Sequence, residues 1–66
     1  MKVLLRNPRR ELVVEGPVRV HALLARLELS REGHLVICNG TLVPADELLH
    51  DSDEVEVRPV ISGGAS

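Results

Sequence analysis

The sequence contains no phenylalanine, tryptophan or tyrosine among its 66 residues. Single-stranded nucleic acids are commonly bound by stacking their bases on aromatic side chains, so that mode of recognition is excluded. The chain has 8 Lys and Arg residues against 10 Asp and Glu residues, and a net charge of -2 offers no general attraction for a polyanion. We therefore expect no direct nucleic-acid partner.

Cysteine and long apolar runs are equally scarce. Cys38 is the only cysteine, which excludes both an internal disulfide and a zinc site built on a cysteine pair. The sequence shows no secretory leader, and no apolar run approaches the roughly 20 residues that a membrane span requires. The expectation is a cytoplasmic protein with no membrane partner and no bound metal or cofactor.

The residues that are present suit one small folded domain. Hydrophobic residues make up 44% of the chain, and its length leaves no room for a second core. Charge is uneven, because residues 1–33 carry seven basic and four acidic side chains, whereas residues 34–66 carry six acidic side chains and only Arg58 as a base. An acidic surface around the C-terminal half is a feature of docking rather than of folding.

Alternating apolar residues and turn residues predict the strands. They are expected at residues 2–6, 11–15, 35–38, 41–43 and 54–58. Asn39-Gly40 predicts the tight turn of a hairpin, and Pro59 should end useful pairing of the last strand. Pro44 at the start of a polar-apolar segment predicts a single helical turn over residues 44–49.

One longer helix is predicted between the second and third strands. Val20, Leu23, Leu24 and Leu27 recur at the spacing of one helix face, although no residue before them is a good N-cap. One helix covers only one face of a small sheet, so the predicted fold is α+β, with a mixed sheet cupping one helix in the β-grasp arrangement. We expect a single domain over residues 1–59 and a flexible tail over residues 60–66.

No set of side chains predicts catalysis within this chain. The three histidines, His21, His34 and His50, match no short metal motif, and four residues of strand hold His34 about 13 Å from Cys38. No basic residue or helix N-terminus adjoins Cys38 to lower the pKa of its thiol, so a buried structural cysteine is the favoured interpretation over a nucleophile. The serines lie in turns or in the tail, and the protein is expected not to be an enzyme.

The strand pattern also divides the sheet into two faces. The residues predicted to face the helix are Val3, Leu5, Leu12, Val14, Val36, Cys38, Val55 and Val57. Their alternates on the open face include the apolar residues Leu4, Val13, Leu35 and Ile37, with Arg58 nearby. Such a patch is typical of a partner surface, of a self-associating face, or of scattered surface residues, and the pattern alone leaves these open.

The most specific residues of a resemblance to a known family lie in the second half of the chain. The acidic turn and alternating strand DSDEVEV at residues 51–57, the ending VISGG at residues 60–64, and Asn39-Gly40 followed by Leu42 and Val43 resemble the ubiquitin-like sulfur carriers of the ThiS/MoaD family. Many members have Asp-Gly-Asp where this chain has Asp51-Ser52-Asp53. The resemblance covers the whole chain.

The resemblance implies a function for the terminal glycines. Gly64 would be adenylated by a ubiquitin-activating-like enzyme that uses ATP, and a sulfur donor of the cysteine desulfurase or rhodanese type would convert it to a thiocarboxylate. Gly63 lacks a Cβ and would give clearance in a narrow channel. In relatives, the activating enzyme grips the open sheet face and the tail, so Val60 and Ile61 join the expected partner-binding residues.

Two questions stay open at this stage. Ala65 and Ser66 follow Gly64, so either a protease removes them, or they are artificial, or this copy carries no sulfur; we favour trimming. The expected acceptors are synthases of thiamine thiazole or tRNA 2-thiouridine, ranked equally, with molybdopterin third. The alternative function is a ubiquitin-like modifier or a plain interaction module, and a catalytic Cys38 is a third possibility.

Overall fold

A computed structural model describes residues 1–6 and 9–60. In chain order, its elements are β1 (Lys2–Leu5), β2 (Arg10–Val13), β3 (Val18–Arg19), α1 (Val20–Arg26), β4 (His34–Cys38), β5 (Thr41–Val43), β6 (Leu48–Leu49) and β7 (Glu54–Pro59). Each strand predicted from the alternating pattern is present, with ends that differ by no more than two residues.

The main sheet has five strands in the order β2-β1-β7-β4-β5. The neighbours β1 and β7 are parallel, and the other pairs in this sheet are antiparallel. A parallel pair between the first and last strands requires the rest of the chain to cross over, and α1 lies within that crossover. This mixed sheet with one short helix confirms the predicted α+β β-grasp fold.

The core lies between α1 and one face of the sheet. The side chains predicted to point inward do so: Val3, Val36, Val55 and Val57 are buried, and their partly buried neighbours Leu5, Leu12, Val14 and Cys38 pack against the same cluster. The helix contributes Leu23, which is fully buried and thereby adds about 1.5–3 kcal/mol to folding. Sequence reasoning missed the buried residues Met1, Val18 and Leu49.

The predicted helical turn over residues 44–49 is wrong. The segment makes one hydrogen-bonded turn, with the Glu47 amide donating to the Pro44 carbonyl at 3.1 Å, and then becomes β6, which pairs with β3. Pairing in this second sheet points Leu49 into the core, where it is fully buried. The local preference of proline for the first turn of a helix predicted a helix here, but the strand conformation buries Leu49 and is therefore more stable.

The same segment resolves the missing N-cap of α1. Arg19 occupies the cap position and makes no side-chain capping bond. Instead, the amides of Val20 and His21 donate to the carbonyls of Glu47 and Ala45 at 2.9 and 2.8 Å. Backbone acceptors from a distant loop therefore satisfy donors that a side chain usually satisfies.

The helix ends one residue before its predicted end, at Arg26. Glu28 follows with a φ of 60°, and the amides of Glu28 and Leu29 donate to the carbonyls of Ala25 and Leu24. This is the hydrogen-bond pattern of a Schellman motif, with a glutamate in the left-handed position that glycine usually occupies. It directs Leu29 back against the core.

Pairing of the last strand continues beyond its predicted end. Pro59 lies opposite His34, and the Val60 amide donates to the Gly33 carbonyl at 2.8 Å. The expectation that Pro59 ends useful pairing is therefore wrong. Proline has no amide hydrogen to donate, but the next residue, Val60, donates to Gly33 and so continues the pairing. The division into a domain over 1–59 and a tail over 60–66 stays a prediction.

Candidate functional site

The open face of the sheet carries the side chains predicted to meet a partner. Across its centre, the register places Leu4 beside Glu56, Glu56 beside Ile37, and Ile37 beside Leu42. One row further along, Leu35 lies opposite Arg58. Residues on opposite strands in this register have side chains on the same face, so these groups form one surface.

Exposure differs strongly among the apolar members of this face. Leu35 is 44% exposed, Leu42 is 61% exposed and Val13 is 84% exposed, whereas Leu4 and Ile37 are half-buried. Val13 lies at a corner of the sheet, opposite Lys2. Leu42 was missed by sequence reasoning, although its place opposite Ile37 follows from the two-residue Asn39-Gly40 turn.

Strand β7 divides the open face. Its outward side chains are Glu54, Glu56 and Arg58, which lie between the apolar residues of β1 and β2 and those of β4 and β5. A depression of about 270 Å³ follows this line, with Leu4 and Ile37 among its lining residues. The four predicted residues therefore form two apolar groups beside a charged strand, and Leu35, Ile37 and Leu42 make the larger group, which we call the β4–β5 apolar patch.

Glu56 holds two arginines on this face. Its Oε2 accepts a hydrogen bond from Nε of Arg6 and another from Nε of Arg58, each at 2.8 Å. The charge-assisted bonds from Arg58 and Arg6 lower the pKa of the Glu56 carboxyl below its ordinary value. The carboxylate is therefore ionised at neutral pH and orients both guanidinium groups, with Arg58 beside the β4–β5 apolar patch and Arg6 on the β1 side of β7.

The base of the tail is held by a short loop. The Gly33 amide lies 3.2 Å from Oγ of Ser30, and Nδ1 of His34 lies 2.8 Å from the Ser30 carbonyl oxygen. Because the Val60 amide bonds to the Gly33 carbonyl, this loop holds Val60, the last described residue, beside the sheet. The predicted site residues Ile61, Gly63 and Gly64 lie outside the described residues.

A second network secures the opposite end of β7. Asn39 Nδ2 donates to Asp53 Oδ1 at 3.0 Å, and Asn39 Oδ1 accepts from the Glu54 amide at 3.0 Å. Asn39 and Gly40 have φ values of 52° and 84°, so both turn residues are left-handed, as a type I′ hairpin requires. Hydrogen bonds from the His50 amide and then Asn39 lower the pKa of the Asp53 carboxyl.

Cys38 lies beside this network without being activated by it. Its side chain is half-buried against the core, and Asn39 Nδ2 lies 3.6 Å from its sulfur. Burial, followed by the negative charge of Asp53, raises the pKa of the Cys38 thiol. A thiol that stays protonated at neutral pH is a poor nucleophile, which favours the structural interpretation.

Neither metal chemistry nor a membrane span is indicated by the described part of the chain. Across residues 1–6 and 9–60, no three His, Cys, Asp or Glu side chains converge as ligands would. Within the same residues, no helix has the length and apolar character needed to cross a bilayer.

Comparison with known proteins adds one finding. A family model described as the ThiS family matches residues 3–64. The match spans nearly the whole chain and ends at Gly64. It confirms the resemblance inferred from the acidic turn, the last strand and the paired glycines.

Proposed function

The chain belongs to the ThiS family, whose members are small ubiquitin-like sulfur carriers rather than catalysts, and from this premise we propose the chemistry of its tail. The carboxylate of Gly64 attacks the α-phosphate of ATP on an activating enzyme, forming an acyl adenylate and releasing pyrophosphate. The persulfide of a sulfur donor of the cysteine desulfurase or rhodanese type then displaces AMP and forms an acyl disulfide. A second thiol, on a partner enzyme or a small molecule, cleaves this bond reductively, which leaves the thiocarboxylate on Gly64 and a disulfide on the donor side. ATP is bound by the activating partner and not by the carrier.

The observation that carries this proposal is the extent of the family match, which includes Gly63 and stops at Gly64. A glycine pair has no Cβ atoms, so it passes through a narrow channel that other residues would block. The hydrogen bond from Val60 to Gly33 supports the same proposal, because it anchors the chain four residues before Gly64. The folded domain thus fixes the start of the short segment that carries the reactive glycine.

The proposal requires Gly64 to become a terminus. In the sequence, Ala65 is joined to Gly64 by a peptide bond, and a peptide carbonyl has no carboxylate oxygen to attack ATP. We propose that a protease of the host removes the residues after Gly64. The residues after Gly64 also lie outside the family match.

The proposed activating enzyme docks on the open face. The β4–β5 apolar patch contains two leucines that are 44% and 61% exposed, and their burial would contribute favourable energy to a complex. Leu4 and Val13 extend the contact across β7, and Arg58 and Val60 lie toward the tail. An adenylyltransferase that covers this face receives the tail at the edge of the same contact.

The acceptor of the sulfur is proposed more broadly. We propose an acceptor synthase of thiamine thiazole or of tRNA 2-thiouridine formation, ranked equally, with molybdopterin synthesis third, and the cytoplasm as the compartment. The acceptor enzyme determines the pathway, and its contacts with the carrier decide among the three.

The first test is the intact mass of the protein isolated from its native host. A chain ending at Gly64 with one oxygen replaced by sulfur supports both trimming and sulfur carriage. Conjugates through Gly64 that survive reducing denaturation would instead support a ubiquitin-like modifier. A population that retains Ala65 under sulfur-demanding growth contradicts the proposal.

Variants provide the matching genetic test. Deletion of Gly63 and Gly64 should abolish sulfur transfer, because it removes the reactive carboxylate. Cys38→Ala is the matched control, since the thiol is protonated and packs against the core. Sulfur transfer that persists after the deletion, or that is lost in the control with the fold intact, would refute the assignment.

A further inference from the structure

Most of the positive side chains lie at one end of the sheet. The parallel pairing of β1 with β7 brings together the end of β1, the start of β2 and the end of β7, because Leu5 lies opposite both Arg10 and Val57. Helix α1 finishes at the same end, since Leu27 and Leu29 line a hollow there with Leu5 and Pro59. The arginines at this end, which we call the arginine end, are Arg6, Arg9, Arg10, Arg26, Arg31 and Arg58.

The opposite end of the molecule is acidic. Glu54 starts β7 there, opposite Lys2, and Asp53 precedes it beside the Asn39 turn. Asp46 and Glu47 lie at the start of α1 at this same end. The arginine end also contains Glu28 and Glu32, so it has six cationic groups against two acidic ones. Glu56 lies further from this end and pairs with both Arg6 and Arg58.

The hollow at the arginine end has a mainly apolar lining, to which His34 also contributes. It measures about 190 Å³ and is lined by Leu5, Leu27 and Val57 among others, with the exposed residues Arg6 and Arg10 beside them. Pro59 also lines it, so the hollow lies directly beside the chain that leads to the tail. An apolar pocket surrounded by arginines is the arrangement found where binding energy concentrates in protein interfaces.

From this juxtaposition we propose that the arginine end is a docking surface for an acidic segment of a protein partner, in which a leucine-sized side chain fills the hollow and flanking carboxylates pair with the arginines. The hollow itself lies on the helix side of the sheet, because the core-facing residues Leu5 and Val57 line it, whereas Arg6 and Arg58 lie where this end meets the open face. The proposal does not depend on whether Gly64 carries sulfur.

Carboxylates on a protein fit this surface better than RNA does. Seven of the eight cationic side chains are arginines, whose planar guanidinium groups match carboxylates in pairs of hydrogen bonds. The chain has no Phe, Trp or Tyr side chain on which a base could stack, and the acidic opposite end would repel a long polyanion. The mainly apolar lining of the hollow also suits a leucine side chain better than a phosphate group.

A titration of the isotope-labelled full chain tests the proposal without any sulfur chemistry. The probe is a hexapeptide with two central leucines flanked on each side by two glutamates, and the matched probe replaces the glutamates by lysines. Amide chemical shifts should change around Leu5, Leu27 and Arg10 with the glutamate probe alone. Leu48, which pairs with Arg19 at the opposite end, should not respond.

Matched charge reversals measure the contribution of the arginines. Arg10→Glu should weaken binding of the glutamate probe by about five-fold, because an attraction becomes a repulsion, whereas Arg19→Glu should change it less than about two-fold. Arg26→Glu on the helix provides a second variant at the arginine end if Arg10→Glu does not fold. Rising salt concentration should weaken binding further.

Four results would overturn the proposal. The first is equal binding of the lysine probe, and the second is a set of shifts centred on the open face around Ile37. The third is tight binding of transfer RNA from the host at physiological salt that Arg10→Glu abolishes, which would make the surface an RNA site. Absence of any response to the glutamate probe counts against it equally.

Discussion

Removing the two exposed leucines of the β4–β5 apolar patch should weaken recognition by the activating enzyme. Leu35 is 44% exposed and Leu42 is 61% exposed, and a partner that covers them buries these exposed fractions. At about 1.5–3 kcal/mol for a fully buried leucine, these fractions correspond to about 1 kcal/mol for Leu35 and about 1–2 kcal/mol for Leu42. Together they amount to about 2–3 kcal/mol, which corresponds to about a 30- to 160-fold loss of affinity.

The assay is pyrophosphate exchange by the purified host adenylyltransferase, with all variants ending at Gly64. Leu35→Ala combined with Leu42→Ala should raise KM for the carrier by that factor while leaving kcat within about two-fold, because docking is weakened and the tail is intact. Leu48→Ala is the matched control, since Leu48 is 37% exposed but belongs to β6 beside the helix. An equal rise of KM in the control, or no rise in the double variant, would refute the docking assignment.

Three further predictions concern the elements that hold this surface in place. Asn39→Ala should lower the free energy of unfolding by about 2–3 kcal/mol, because it removes two side-chain hydrogen bonds and puts alanine at a φ of 52°. Denaturant titration measures this change. It is followed by far-ultraviolet circular dichroism, since the chain has no Phe, Trp or Tyr chromophore. Asp53→Asn should make the free energy of unfolding fall less steeply as the pH is lowered. A carboxyl whose pKa is lowered by folding stabilises the folded state at pH values above its ordinary pKa of 3.8, and this stabilisation is lost as the pH falls through the lower pKa of the folded state. Cys38→Val should leave sulfur transfer within about two-fold of wild type in a reconstituted thiocarboxylate assay, because the raised pKa keeps the thiol protonated.

Controls separate the causes in these experiments. Asn39→Gly tolerates the left-handed backbone and removes only the side-chain bonds, so it should be more stable than Asn39→Ala by about 0.5–1 kcal/mol. For Asp53, an unchanged acid-side slope in the asparagine variant would contradict the assignment. For Cys38, a large loss of transfer with an unchanged unfolding midpoint would indicate chemistry at the sulfur.

Local pattern was sufficient to predict the five strands of the main sheet and the orientation of their side chains. Val3, Val36, Val55 and Val57 are buried as predicted, because alternation along a strand assigns each residue to a face before its neighbours are known. The Asn39-Gly40 turn is equally local, since both residues accept positive φ values. The paired glycines at the end of the family match carried the functional hypothesis, which no contact within the described residues would have suggested.

Long-range contacts decided the elements that the sequence predicted wrongly. Residues 44–49 have the local features of a helical turn, yet they form β6 because α1 needs carbonyl acceptors at its start and the core needs Leu49. In the same way, Pro59 takes part in the ladder because Gly33 lies opposite the next amide. Hydrogen-bond partners this distant in sequence cannot be read from a window of neighbouring residues.

By itself the sequence determined which side chains exist, which face of a strand or helix they occupy, and that the chain carries its paired glycines at residues 63 and 64. Only the tertiary structure decided which charges become neighbours. Arg6 and Arg58 are far apart in sequence, and the parallel pairing of β1 with β7 is what places both on Glu56. Charge patterns on a surface depend on strand order and register, and these are properties of the whole fold.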